Sequence, residues 1–152
     1  MGKGIIEKEF EDCLKKKRII KFSAAKRLSA RELNAAREDL KIASESLKKG
    51  ADKWATIQAY YAMFHTARAL LYSRGYREKS HYCLIVSMKV MFVKETRLHG
   101  RLVEAFHTAK ILRENADYAN EFSKESACSL IQHAEEFLAS AKKILRSGER
   151  TA

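Results

Sequence analysis

Along most of this chain apolar residues return every three or four positions, the spacing of one helical face, and no stretch alternates with the period of a strand. Ile5, Ile6, Phe10, Cys13 and Leu14, set among charges, predict a short amphipathic helix over residues 5–18. A mixed connector then runs to about residue 28. Ser29-Ala30-Arg31-Glu32 reads as a capping box, in which the serine accepts from an early amide and the glutamate reaches back. Leu33, Ala36, Leu40, Ala43 and Leu47 continue that helix to Gly50. The next helix is expected from Asp52 to Arg74. Tyr60, Phe64, Ala67 and Leu71 form one of its stripes, and Trp54, Ile57, Tyr61 and His65 form a second. Two adjacent stripes predict contact with more than one partner helix.

Gly75 ends that helix, since glycine enters the left-handed conformation without steric cost. Ser80 is expected to cap a helix over 81–94 that turns Leu84, Met88, Met91 and Phe92 inward. After a polar connector, Leu102, Ala105, Phe106, Ala109 and Leu112 predict a helix over 101–117. Ser123 is expected to cap the last helix and Gly148 to close it. Short connectors favour antiparallel neighbours. The expected fold is therefore all-α: an up-and-down antiparallel bundle of four core helices plus a short N-terminal helix. Residues 1–28 form a basic N-terminal helix and connector, and residues 29–148 form the bundle.

Composition adds three constraints. The 152 residues include no proline, which suits long uninterrupted helices. The length fits one domain able to bury a core without metal or disulfide. Cys13, Cys83 and Cys128 are widely spaced and odd in number, so reduced thiols in a cytoplasmic protein are expected. No run approaches 18 apolar residues, so no transmembrane helix or membrane contact is expected, and no secretory-type apolar run precedes the first charges.

The net charge of +11 is uneven: residues 1–31 and 68–101 each carry +6, whereas residues 32–67 sum to zero and 102–152 to −1. Such basic segments attract phosphates, RNA or acidic partners, and equally serve as a solvated face.

The stretch Ala59-Tyr60-Tyr61-Ala62-Met63-Phe64-His65-Thr66-Ala67-Arg68-Ala69-Leu70-Leu71 resembles the second helix of the HEPN family. Lys79-Ser80-His81 and Arg113-Glu114-Asn115-Ala116-Asp117-Tyr118 strengthen the likeness, which covers about residues 29–146. These are helical proteins of bacteria and archaea, many encoded beside a minimal nucleotidyltransferase. The resemblance implies a helical bundle that dimerises, with roles in toxin–antitoxin modules, RNA cleavage or nucleotide binding. No cofactor is implied.

Active members of the family pair an arginine with a histidine a few residues later, without metal. Histidine exchanges the proton and arginine stabilises phosphoryl charge. Here Arg74 and His81 fit that spacing and are the candidate catalytic pair. Arg101 and His107 also fit, but a continuous helix turns them to different faces. In the family the motif lies late in the domain, where this chain has Arg113 followed by Tyr118 instead of histidine. A phenol with an ordinary pKa near 10 is a poor base at neutral pH. Arg113, Asp117 and Tyr118, with Arg77, Lys79 and Tyr82, are therefore candidates for binding nucleotide or RNA. The plain alternative for Arg113 and Asp117 is an ion pair within the helix. His65 reads as a half-buried histidine with one polar partner. No metal-ligand spacing, Walker A loop or nucleophile elbow occurs.

Three readings follow. The leading one is a HEPN protein that binds nucleotide or RNA, or a nucleotidyltransferase partner, without cutting. The second is a metal-independent endoribonuclease toxin using Arg74 and His81, and the third a basic interaction module with no ligand.

Overall fold

The structure is a computed structural model describing residues 4–95, 97–119 and 122–151, the side chains of 116–119 and 149–151 excepted. Eight elements follow in order: α1 (Ile5–Lys15), β1 (Ile19–Lys21), α2 (Ala25–Lys48), α3 (Asp52–Ser73), β2 (Tyr76–Glu78), α4 (His81–Met88), α5 (Gly100–Ala119) and α6 (Lys124–Thr151). A single π-helical segment, Lys89–Val93, continues α4. The fold is all-α, as the periodicity implied, and α2, α3, α5 and α6 are its long members.

α3 is the axis of the bundle and touches α2, α4, α5 and α6. Its two apolar stripes explain this, because neither can be covered by one neighbour. Ala55, Ala59, Ala67, Leu70 and Leu71 are fully buried along it. On α2 the buried positions are Ala25, Ser29, Ala36 and Ala43, a seam of small side chains that brings the α2 and α3 backbones close. Polar links cross this seam. The Ser29 hydroxyl donates to the Ala69 carbonyl (2.7 Å), and the Ser46 hydroxyl donates to Gln58 Oε1 (2.8 Å). Early α2 meets late α3 and late α2 meets early α3, so the two run antiparallel. Gly50, at φ +76°, makes the reversal.

Ser29 is thus not a cap. α2 begins four residues earlier, at Ala25, and Ser29 spends its hydroxyl on a neighbouring helix. The capping-box sequence is a local signal, and burial against α3 overrides it. The caps at Ser80 and Ser123 do form, accepting from the amides of Cys83 (3.3 Å) and Ser126 (3.0 Å). Gly148 lies inside α6, which continues to Thr151.

Two further features differ from the sequence reading. β1 and β2 form a small antiparallel ribbon with Ile19 opposite Glu78 and Lys21 opposite Tyr76. Three residues per strand are too few to show alternation. The ribbon joins segments far apart in the chain, and Gly75, at φ +86°, starts its second strand. Cys13 and Cys83 form a disulfide that fastens α1 to α4 and corrects the expectation of reduced thiols. They are 70 positions apart, and spacing carried no sign of the pairing. Cys128 remains free. No described helix is long and apolar enough to cross a membrane.

Candidate functional site

The densest chemistry sits where the middle of α3, the start of α4 and the middle of α5 meet. Tyr60 and Phe64 lie one helical turn apart on α3 and face the same way. The Ser80 cap starts α4 so that its first residue, His81, enters between them. The His81 ring stacks on Tyr60 (centroids 5.7 Å apart) and on Phe64 (5.9 Å), and Phe106 of α5 closes the box at 5.0 Å. Neither ring nitrogen of His81 finds a hydrogen-bond partner, and both are enclosed. Burial pushes its pKa down to about 4, helped by the nearby positive charge of Lys110, with Glu114 opposing. His81 is therefore neutral at pH 7, and its nitrogens are sealed from solvent.

Arg113, two turns beyond Phe106 on α5, lays its guanidinium over Tyr61 (5.3 Å) and Tyr60 (5.6 Å). Tyr60 is buried, which pushes its phenol up to about 12 against the pull of Arg113. Lys110 stands one turn before Arg113 and pairs with Glu114 at 3.5 Å. A guanidinium held above aromatic rings still presents an N–H edge. That edge suits a phosphate or carboxylate, and the partly exposed Tyr61 beside it suits a flat ring.

The remaining candidates scatter. Arg74 donates to Glu95 (2.8 Å) and covers the Phe92 ring (4.8 Å), at the end of α3 away from the box. Tyr60 precedes it by about 20 Å of helix. The fold therefore does not bring Arg74 and His81 to one centre within the chain. Arg77 in β2 lies over Phe22 at 5.1 Å, and Lys79 is exposed. Tyr82 is half exposed and bonded to Glu9 of α1, which raises its phenol above the ordinary range. Arg101 bonds Glu136 of α6 (2.5 Å), whereas His107 lies on the His81 side, so the helix separates them. The side chains of Asp117 and Tyr118, and with them the expected Arg113–Asp117 pair, lie outside the described residues. Among the described residues no group of three His, Cys, Asp or Glu is arranged to hold a metal ion.

Sequence reasoning missed one polar cluster. His65 Nδ1 bonds Glu32 (2.5 Å), and its Nε2 lies 3.6 Å from Asp39. The same Glu32 is 3.7 Å from Arg68, whose Nε donates to Glu78 (2.5 Å). Glu78 is 95% buried, so its carboxylate is held away from water, while Arg68 stays part exposed. His65 was expected to be half buried with a polar partner, and it is. The rest joins α2, α3 and β2. The only local signal was that His65 and Arg68 share a face of α3, while the three acids come from elsewhere in the chain.

Known proteins resemble this chain over most of its length. The model of the HEPN domain matches residues 30–145. A Methanocaldococcus jannaschii protein named "Putative toxin MJ0605" is 32% identical over 118 residues, covering 75% of this chain and 86% of that protein. A "UPF0332 protein" of Thermotoga maritima is 29% identical over 117 residues, covering 76% and 89%. "Putative toxin MJ0142" of M. jannaschii is 32% identical over 96 residues, covering 62% and 65%.

Proposed function

The chain belongs to the HEPN domain family, and on that premise we propose that it is a toxin-like member that binds nucleotide or RNA at Arg113. In this reading it works as a homodimer, in a toxin–antitoxin type module whose other component is a minimal nucleotidyltransferase. The observation that carries the binding site is the Arg113 guanidinium over Tyr60 and Tyr61. It offers an anion a permanently charged fork beside the partly exposed ring of Tyr61, which suits a base. Two relatives bear toxin in their names, which supports the toxin-like part. The partner and the dimer rest on what the family resemblance implies.

The reading is of binding without cutting by Arg74 and His81. Arg74 is engaged with Glu95 and Phe92, and both nitrogens of His81 are enclosed. A general base must come within hydrogen-bond reach of the proton it takes. The endoribonuclease reading keeps one point in its favour, the toxin names of the relatives.

Fluorescence polarisation with labelled single-stranded RNA in EDTA tests both. Binding is expected to weaken at least tenfold in Arg113→Ala, with the RNA left intact by the wild-type protein. Unchanged binding in Arg113→Ala overturns the site. Cleavage in EDTA that His81→Ala abolishes establishes the ribonuclease instead. Light scattering is expected to give about twice the 17.4 kDa chain mass, and a monomer removes the dimer from the proposal.

A further inference from the structure

At the C-terminal end of α3, the last turns of α3 and α6 and the first half of α2 line an open cavity of about 770 Å³. That lies within the roughly 300–1,000 Å³ of small-molecule sites. Six cations line it: Lys26 and Arg37 of α2, Arg74 after α3, Arg97 before α5, and Lys142 and Arg146 of α6. They come from four separate parts of the chain and converge only in the fold. Among the described residues, Arg74 alone of the six reaches a carboxylate, Glu95 at 2.8 Å. Arg37 donates instead to the Asn34 side-chain carbonyl (3.2 Å), and Arg146 to the Lys142 carbonyl (3.4 Å).

The rest of the lining has a different chemistry. Ala30, Leu33, Ile144 and Leu145 supply an apolar surface. Ser29 and Ser73 also line it, but their hydroxyl protons are donated to the carbonyls of Ala69 (2.7 Å) and Leu70 (2.6 Å). They offer a ligand only acceptor lone pairs.

We propose that this cavity binds a small organic polyphosphate. Two or more phosphate groups lie against the cationic wall, and a compact apolar or aromatic body rests on the Leu33–Ile144–Leu145 surface. Like charges gathered in one concavity repel each other, and a polyanion relieves that repulsion. A monocarboxylate matches one of the cations and leaves the others facing each other. The arginine forks suit phosphate oxygens. The apolar surface has nothing to do for a bare inorganic anion, which is why the ligand is an organic phosphate. The site shares no residue with the Arg113 site and does not depend on it.

Isothermal titration of the full chain tests the proposal, with adenosine triphosphate, inorganic triphosphate and a single-stranded RNA 10-mer as probes at fixed ionic strength. Adenosine triphosphate is expected to bind, and inorganic triphosphate to bind at least tenfold more weakly. Ala30→Trp fills the cavity without changing net charge and is expected to weaken adenosine triphosphate at least tenfold. The double variant Arg97→Glu/Lys142→Glu is expected to do the same, and both comparisons are repeated in the Arg113→Ala background, which removes nucleotide held at the other site. Ala30 and Arg97 are exposed, and circular dichroism checks that each variant is folded; if Ala30→Trp is not, the charge-reversal variant decides.

The proposal is overturned by no heat with adenosine triphosphate, by equal affinity for the inorganic probe, or by wild-type affinity in the folded cavity variants. If the RNA 10-mer loses affinity in Ala30→Trp while adenosine triphosphate does not, the cavity is a nucleic-acid surface and the small-ligand proposal fails. Loss of adenosine triphosphate binding in Arg113→Ala alone assigns the ligand to the other site, and this one fails while the Arg113 reading stands.

Discussion

His65 and His81 both touch the ring of Phe64, at 5.7 and 5.9 Å between centroids, yet they meet opposite surroundings. His65 reaches Glu32 and Asp39, and through Glu32 it joins Arg68 and the buried Glu78. His81 meets only rings and bonds nothing with either nitrogen. One imidazole is therefore part of a charged network that ties α2, α3 and β2 together. The other behaves as an aromatic side chain, packed under the tyrosines that Arg113 covers. What a histidine does is set by what the fold puts within 4 Å of its nitrogens, and a few ångströms of helix decide it.

Cutting the charged side of this contrast should have the largest effect. Glu78→Ala leaves Arg68 partly buried with only the more distant Glu32. Breaking one side of a buried pair costs about 3–5 kcal/mol. A loss near the lower figure is expected, about 3 kcal/mol by urea denaturation, because Arg68 is part exposed. A loss under about 1 kcal/mol would show that Glu78 is not the anchor of the cluster.

The apolar side is tested by pH. His81 has a folded pKa of about 4 against an ordinary value near 6.5. The folded state therefore binds this proton less readily than the unfolded state. Its stability is undiminished above pH 6.5, falls as the pH drops from there to about 4, and levels off below. Discounted for the partial exposure of the ring, the loss is about 1–2 kcal/mol. His81→Leu removes the titrating group and should flatten this part of the stability profile. A variant with the same slope as wild type between pH 6.5 and 4 would place the titration elsewhere.

Glu32→Gln is the finest probe. It keeps a group that can bond His65 but removes the charge shared with Arg68, which retains Glu78. A loss of about 1 kcal/mol or less is expected in the same denaturation assay. A much larger loss would mean that Glu32, and not Glu78, holds the network.

The long helices were legible because burial of one face repeats every three or four residues, and that repeat is written locally. The two stripes on α3 even announced its several neighbours. Ser80 and Ser123 were legible as caps because a cap is made within four residues. Ser29 had the same local signature and went elsewhere, because its partner, Ala69, is 40 residues away. The site divides in the same manner. Arg113 stood out through its sequence context, whereas the companionship of His81 with Tyr60, Phe64 and Phe106 joins three helices. Arg74 and His81 are close in sequence, yet the turn at Gly75 and the β1–β2 ribbon lie between them. Of the six cations around the far cavity, Arg74 stood out for its spacing to His81, and the other five were visible only as charge.

By itself the sequence determined an all-helical chain, its family, the main helix stops and a basic character. Each of these depends on residues within a few turns of one another or on totals. Tertiary structure alone decided that Cys13 would meet Cys83, that Glu78 would be buried on Arg68, and which cations would share a cavity. Those outcomes depend on how helices cross and on which groups lose their water together. That is a property of distances between segments, and the order of residues along the chain does not specify it one position at a time.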